Sequence, residues 1–195
     1  MNVINLWGAP GSGKSTTAAG LFFLMKINKY KVELVTEYAK DLVWDRHQSM
    51  LNNQISIFAE QNHRLHRLQS HGIDFVITDS PLPLPSFYKP KGYFSQFDPM
   101  VNEAFNSYNN LNYLLHRRGS FEAIGRVHDE TESDAIAGEL KTFLDQLGIE
   151  CVELDANPQT PQAIFNDLVS RMAAPAVAMP LATAGDVPTP TNDWA

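Results

Sequence analysis

The feature that most constrains the fold is an eight-residue segment near the N-terminus, Gly8-Ala9-Pro10-Gly11-Ser12-Gly13-Lys14-Ser15. It fits the pattern G-x-x-x-x-G-K-[ST] in full. The apolar run 3–7 before it predicts a buried strand, and the apolar face of 14–26 after it predicts a helix. Because this pattern forms a phosphate-binding loop between a strand and a helix, the context disfavours a chance match.

The residue types in this segment suit a nucleoside triphosphate. Glycines let backbone N–H groups turn toward phosphate oxygens, where a side chain would block the approach. The Lys14 ammonium can reach the β- and γ-phosphates, and the Ser15 hydroxyl can ligate Mg²⁺. We therefore predict ATP and Mg²⁺ as cofactors. The predicted cofactor-binding residues are Gly8, Ala9, Pro10, Gly11, Ser12, Gly13, Lys14, Ser15 and Thr16.

Strands and helices are predicted to alternate along almost the whole chain. Apolar runs predict strands over 3–7, 32–36, 73–78, 111–116 and 149–154, and apolar periodicity predicts helices over 14–26, 52–69, 99–109, 132–147 and 161–172. This alternation predicts an α/β fold with a five-stranded parallel sheet and helices on both faces. The phosphate-binding motif makes it a fold of the P-loop NTPase type, similar to that of nucleoside and nucleotide kinases. We expect one P-loop kinase domain over 1–172 and a flexible Pro/Ala/Thr-rich tail over 173–195.

Carboxylates end two of the predicted strands, at the edge where an open α/β sheet binds its ligands. Asp79 ends the third strand, where P-loop folds place the carboxylate that holds Mg²⁺. Ser80 follows, where hydrolytic motor ATPases usually carry a glutamate that polarises water, so a motor is disfavoured. Glu37 ends the second strand and can accept a proton from an acceptor hydroxyl or orient the acceptor. The alternative for Glu37 is a solvated loop acid.

Arginines follow the fourth predicted strand, where small kinases carry a mobile lid. Guanidinium groups at such a place stabilise charge on the transferring phosphoryl group, and closure excludes water. Arg117, Arg118 and Arg126 are the candidates, and a plain surface role is the alternative for Arg117. The predicted catalytic residues are Lys14, Glu37, Asp79 and Arg126, and the predicted Mg²⁺ ligands are Ser15 and Asp79.

Composition limits the partners and the compartment. The formal net charge of −7 argues against broad coating of nucleic acid, which relies on a basic surface, but leaves room for a local basic patch. Because Cys151 is the single cysteine, no internal disulfide can form, and a reducing compartment is expected. We find neither a secretory signal nor an apolar run of membrane-spanning length, and we therefore expect a cytoplasmic protein without membrane contact.

The segments 5–21 and 32–40 resemble a group of bacteriophage-encoded P-loop kinases, close to the thymidylate kinases and the nicotinamide riboside kinases. This group includes the 5-hydroxymethyluracil DNA kinases, which phosphorylate the hydroxymethyl group of hydroxymethyldeoxyuridine in phage DNA, a step toward hypermodified thymines. The resemblance covers about 1–170, and the tail lies outside it.

The resemblance also implies roles for particular residues. It places the P-loop on ATP, Glu37 and Asp79 at the reacting centre, and Gly125-Arg126 in a lid. Thymidylate-type kinases usually have Asp-Arg after the third strand, whereas Asp79 is followed here by Ser80-Pro81. This departure disfavours an ordinary thymidylate kinase.

The acceptor is less constrained than the nucleotide. Within 81–97, prolines predict an extended loop, and aromatics alternate with Lys89 and Lys91, a pattern that can stack an unpaired base while the lysines hold phosphates. The alternative is that these aromatics pack onto the domain. Candidates on the long helix are Arg64 and Arg67 for an acceptor phosphate, and Gln54, Gln61 and Asn62 for a pyrimidine edge. The alternative for the arginines is a solvated helix face.

Three functions remain open on these residues. The first is a kinase for hydroxymethyluracil in DNA, favoured by the resemblance and the aromatic-basic loop and opposed by the net charge. The second is a small-molecule nucleoside or nucleotide kinase, which the chain length suits equally well. The third is a non-catalytic ATP-dependent switch, which the pattern of Glu37, Asp79 and the arginines disfavours.

Overall fold

The computed structural model describes residues 1–118 and 129–173. Five parallel strands form one sheet in the order β2-β3-β1-β4-β5, so the predicted α/β fold with a five-stranded parallel sheet is confirmed. In chain order the elements are β1 (Asn2–Trp7), α1 (Lys14–Ile27), β2 (Val32–Val35), α2 (Tyr38–Trp44), a 3-10 helix (Gln48–Asn52), α3 (Gln54–His66), β3 (Phe75–Thr78), α4 (Leu84–Tyr88), α5 (Phe97–Asn106), β4 (Asn109–His116), α6 (Glu130–Gln146), β5 (Val152–Asp155) and α7 (Thr160–Ala173).

Alternation of apolar side chains along the strands produces a core on each face of the sheet. Successive side chains of a strand point to opposite faces. Val3 and Trp7 of β1 therefore pack toward α3, α4, α5 and α6. Ile4 and Leu6 pack toward α1 and α7 on the other face. All four are essentially fully buried, and each such side chain contributes roughly 1.5–3 kcal/mol of hydrophobic stabilisation.

The register of the central strands brings the two predicted halves of the site together. β1 pairs directly with β3, and Asn5 lies opposite Thr78. The segment that follows β1 begins at Gly8, and the residue that follows β3 is Asp79. Since parallel strands end at the same edge of the sheet, the phosphate-binding loop and Asp79 are neighbours although they are far apart in the chain.

The segment after Asp79 differs from the sequence prediction of an extended loop. Residues 80–86 are buried, and α4 begins within the run of prolines. Pro85 lies in the first turn of α4, where a missing N–H removes no helical hydrogen bond. Leu82 and Leu84 join the core. Burial of these leucines, together with the tolerance of a first turn for proline, favours a short helix over an exposed loop.

Other element boundaries also moved. Residues 38–44, for which no helix was predicted, form α2, and α3 begins at Gln54 rather than 52. Within the predicted helix 52–69, Ile55 is 41% exposed, whereas Ile57 is buried. The last strand begins at Val152 rather than 149 because Gly148, at φ 65°, carries the turn that precedes it.

Several predictions fall on other parts of the chain. Gly125 and Arg126 of the predicted lid, and 174–195 of the predicted tail, lie outside the described residues; Ala173 is the last residue of α7. None of the described helices combines the length and apolar character needed to cross a membrane.

Candidate active site

The segment between β1 and α1 is a loop whose conformation requires glycine. Gly8 adopts φ 147°, and a Cβ there would lie 2.3 Å from Ser12 Oγ and 2.7 Å from the Leu115 carbonyl oxygen. Gly13, at φ 88°, immediately precedes α1, which begins at Lys14. The loop is therefore tightly packed and leads directly into the N-terminal end of α1. Backbone N–H groups of such a loop and of a helix N-terminus favour bound anions.

Lys14 lies across this loop. Its ammonium donates hydrogen bonds to the carbonyl oxygens of Gly8, at 2.7 Å, and Ala9, at 3.0 Å. The next two residues, Ser15 and Thr16, are exposed. The positive charge and the first hydroxyls of α1 are thus at the open side of the loop, where they can contact the phosphates of a nucleotide.

Ser15 and Asp79 form the contact that joins the two strand ends. The Ser15 hydroxyl donates to Asp79 Oδ2 at 2.6 Å. Asp79 is only 4% exposed, and its Oδ1 has no hydrogen-bond partner among the described residues. A buried carboxylate is costly unless it is paired or coordinates a metal. Since Mg²⁺ is usually held by one or two protein oxygens together with substrate phosphates, these two side chains fit the predicted metal site.

Glu37 lies at the neighbouring strand end, directly before α2. Val35 of β2 pairs with Thr78 of β3, so Glu37 and Asp79 follow adjacent parallel strands. Partial burial, and after it the charge of the Glu37 carboxylate, raise the pKa of Tyr88 at the end of α4. Tyr88 itself is 37% exposed. Because β3 lies between β2 and β1, Glu37 follows the strand beyond Asp79 as seen from the phosphate-binding loop, and its catalytic role remains a prediction.

Gln61 holds this side of the site in place. It is 1% exposed, and its Oε1 accepts from the Tyr38 N–H at 3.1 Å. Its Nε2 donates to the Thr36 carbonyl at 3.4 Å and to Thr78 Oγ1 at 3.3 Å. The glutamine therefore brackets Glu37 and reaches the residue before Asp79. The predicted contact of this glutamine with a pyrimidine edge is wrong, because its amide is buried and bonded within the domain.

Arg64, predicted to bind an acceptor phosphate, is instead paired within the protein. Its guanidinium contacts Asp41 at 2.8 Å and Glu60 at 3.0 Å, and lies over the Tyr38 ring at 5.1 Å. It also donates to the Thr36 carbonyl at 3.3 Å. The pair with Glu60 has i,i+4 spacing within α3, whereas the contacts with Asp41 and Tyr38 connect α3 to α2, and nothing in the local sequence identified these two.

The aromatic segment 87–97, which begins in α4, mostly packs onto the domain. Phe87 contacts Phe143 with ring centroids 5.4 Å apart, and Tyr93 contacts Phe97 at 5.0 Å. Lys89, one of the two lysines predicted to hold phosphates, pairs with Asp98 at 2.9 Å. The alternative interpretation of this segment therefore holds for these side chains.

Two residues of the same segment remain available to a ligand. Phe94 is 65% exposed, and Lys91 is exposed three residues before it. The Phe94 ring lies beside that of Tyr93, with centroids 4.9 Å apart. Tyr93 is in turn anchored, since its hydroxyl accepts from the Ile55 N–H at 3.0 Å. A fixed aromatic pair with one ring in solvent is a surface on which a base can stack.

The arginines after β4 are held by acidic residues. Arg117 contacts Glu130 at 3.0 Å and also Asp134, both on α6. Arg118 pairs with Asp155 at 2.6 Å, although it is well exposed. A lid function for Arg117 and Arg118 remains a prediction, and Arg126 lies outside the described residues. A cavity of about 430 Å³ lies between the phosphate-binding loop, the end of β4 and α6.

A family model described as an AAA domain matches residues 3–160, from β1 to the start of α7. The chain belongs to this AAA-domain family. The match includes the phosphate-binding loop, Glu37 and Asp79. No curated protein sequence matches the chain. The AAA-domain family is of the P-loop NTPase type, and such domains generally bind ATP with Mg²⁺.

Proposed function

We propose that this AAA-domain protein is an ATP-dependent kinase that transfers the γ-phosphate to an alcohol, the hydroxymethyl group of 5-hydroxymethyldeoxyuridine in DNA. The hydrogen bond between Ser15 and Asp79 is the observation that carries the proposal. It joins the phosphate-binding loop to the strand end beside Glu37, so the loop, the candidate metal ligands and a candidate base lie at one edge of the sheet.

The residues divide the work of transfer. Lys14 and the loop amides bind the phosphates, and Ser15 and Asp79 would hold Mg²⁺, which neutralises charge on the phosphate oxygens. The acceptor oxygen forms a bond to the γ-phosphorus while the bond from that phosphorus to the ADP oxygen breaks. Glu37 accepts the hydroxyl proton or orients the hydroxyl by a hydrogen bond.

The residue after Asp79 supports an alcohol acceptor over water. Ser80 is buried, its N–H donates to Thr78 Oγ1 at 3.1 Å, and its carbonyl accepts from the same hydroxyl at 3.3 Å. The position is therefore filled by a small side chain whose backbone is tied to β3. It carries no carboxylate with which to polarise an attacking water, which disfavours ATP hydrolysis as the main reaction.

The resemblance to hydroxymethyluracil DNA kinases and the exposed pair of Phe94 and Lys91 support the DNA acceptor. An enzyme that acts on a base must take it out of the stack, and an exposed ring offers it a platform. A free nucleoside or nucleotide is the second candidate. It is favoured by the pairing of Lys89 with Asp98 and by the net charge of −7, which both reduce the basic surface available to DNA.

Transfer of labelled γ-phosphate tests the proposal on a panel of acceptors. The panel contains DNA with hydroxymethyluracil, ordinary DNA, free hydroxymethyldeoxyuridine and its monophosphate, thymidine monophosphate and nicotinamide riboside. We expect label on hydroxymethyluracil DNA alone. Label on a free nucleoside or nucleotide would replace the DNA proposal by the second candidate, and label released only as inorganic phosphate would refute the kinase proposal.

Variants of the acceptor side separate the steps. Glu37→Gln should lower the transfer rate by about 100-fold or more while ATP affinity changes little, since general base catalysis contributes roughly 10²–10⁴-fold. Glu150→Gln, at an exposed position before β5, is the matched control. Equal rates in the two variants would return Glu37 to the solvated-acid interpretation.

The exposed aromatic surface has its own test. Phe94→Ala combined with Lys91→Gln should weaken the use of DNA and reduce its salt dependence, yet leave any free nucleoside acceptor unaffected. Phe23→Ala, on α1 and 62% exposed, removes an equally exposed ring from another part of the surface. Equal effects of the two ring deletions would show that this aromatic surface has no particular role in DNA binding.

A further inference from the structure

We infer that Ser133 is a positioning residue for the phosphate-binding loop, because its hydroxyl fixes the peptide that presents the Gly11 N–H to the nucleotide. The Ser133 hydroxyl donates to the Pro10 carbonyl oxygen at 2.6 Å. The two residues are 123 positions apart in the chain. The inference concerns nucleotide binding and holds for any acceptor.

Ser133 is itself held firmly. It is 2% exposed and lies in the first turns of α6. Asp129 and Glu132 form a capping box at the start of this helix, with both hydrogen bonds at 2.8 Å. Arg117 joins the residues on either side of the serine, Glu130 and Asp134, to the end of β4. The hydroxyl therefore approaches the loop from a fixed direction.

The geometry of a peptide explains how this contact acts on the nucleotide. In a planar trans peptide, the C=O of one residue and the N–H of the next point in opposite directions. All described peptide bonds are trans, so a Pro10 carbonyl turned toward α6 sends the Gly11 N–H away from α6. Gly11 has φ 81°, the left-handed conformation that brings successive N–H groups into an anion-binding concavity.

The turn that contains this peptide favours the same orientation. Pro10 and Gly11 are the central residues of a turn closed by a hydrogen bond from the Ser12 N–H to the Ala9 carbonyl oxygen at 3.1 Å. A proline followed by a glycine at positive φ is typical of a type II turn, and the Ser133 hydroxyl adds a partner from outside the loop. A carbonyl that turned inward would face the phosphates and repel them. The Ser133 hydroxyl stabilises the orientation that places the carbonyl outside the cradle.

The test compares nucleotide binding in full-length Ser133→Ala and wild-type protein. Removing this hydrogen bond should weaken ATP binding about five- to ten-fold, the size expected for one neutral hydrogen bond. Inorganic tripolyphosphate should lose affinity by the same factor, because the effect acts on phosphates and not on the base. Ser170→Ala removes a serine-to-carbonyl bond of 2.9 Å on α7 and should leave both affinities unchanged.

The outcomes separate this inference from the proposed function. Unchanged ATP affinity in folded Ser133→Ala would overturn the inference, and so would a loss for ATP without a loss for tripolyphosphate. If Ser133→Ala fails to fold, Ser133→Cys keeps the shape of the side chain with a weaker and slightly larger donor, and should lower the affinity for both ligands by equal factors. Wild-type protein that binds ATP but transfers no phosphate would refute the kinase proposal. The affinities of wild-type and Ser133→Ala protein for ATP and tripolyphosphate would still test the role of Ser133.

Discussion

Replacement of Gln61 by methionine tests whether this buried amide holds the acceptor side of the site. Gln61→Met keeps the length of the side chain and removes its acceptor for the Tyr38 N–H and its donor for Thr36 and Thr78. Because Thr36 and Tyr38 flank Glu37, the substitution removes one hydrogen bond from the backbone on each side of the candidate base. We expect a loss of stability and a slower transfer step.

The contacts that survive set the size of the stability effect. The Thr36 carbonyl keeps the Arg64 guanidinium at 3.3 Å, and Thr78 Oγ1 keeps the Ser80 N–H at 3.1 Å. The Tyr38 N–H is the group that loses its acceptor, which costs about 1–3 kcal/mol. The apolar methionine recovers roughly 1 kcal/mol through burial. The free energy of unfolding should therefore fall by about 1–2 kcal/mol, and Tm by roughly 2–8 °C.

Thermal and urea unfolding of the variant measure this effect. Gln162→Met is the matched control, because Gln162 donates to Asn166 on the exposed surface of α7 and should change stability by less than about 0.5 kcal/mol. If the Gln61 and Gln162 variants unfold at the same temperature and urea concentration, the buried amide of Gln61 does not stabilise the protein. Its hydrogen bonds to Thr36 and Tyr38 would then not be what orders the backbone around Glu37. Stability lost without any change in the transfer rate would limit Gln61 to a structural role.

Two further changes probe the phosphate-binding loop and the helix beside it. Gly8→Ala should destabilise the loop by about 1–3 kcal/mol or more and abolish ATP binding, since its Cβ would lie 2.3 Å from Ser12 Oγ and 2.7 Å from a carbonyl oxygen; retained ATP affinity in a calorimetric titration would contradict this. Asp129→Ala should cost about 0.5–2 kcal/mol in urea unfolding because α6 loses its capping box, and an unchanged midpoint would show that the cap is not needed.

The phosphate-binding loop and the fold class could be predicted because their signals are local. Residues 8–15 form one contiguous segment. Its glycines and lysine predict a phosphate-binding loop when a strand precedes them and a helix follows. The alternation of apolar runs with helical periodicity predicted the parallel sheet. Given parallel strands, the chain positions of Glu37 and Asp79 at strand ends were enough to place them at the same edge.

The contacts that hold this site in shape were decided by the tertiary structure. Gln61 and Arg64 look like polar residues on an amphipathic helix, and only the packing of α3 against α2 and β3 turns them toward the site. Ser133 bonds to Pro10 across 123 positions. No local pattern in the sequence indicates that these two surfaces contact each other. Periodicity follows from each residue and its near neighbours, whereas the choice of polar partner depends on which surfaces the completed fold brings face to face.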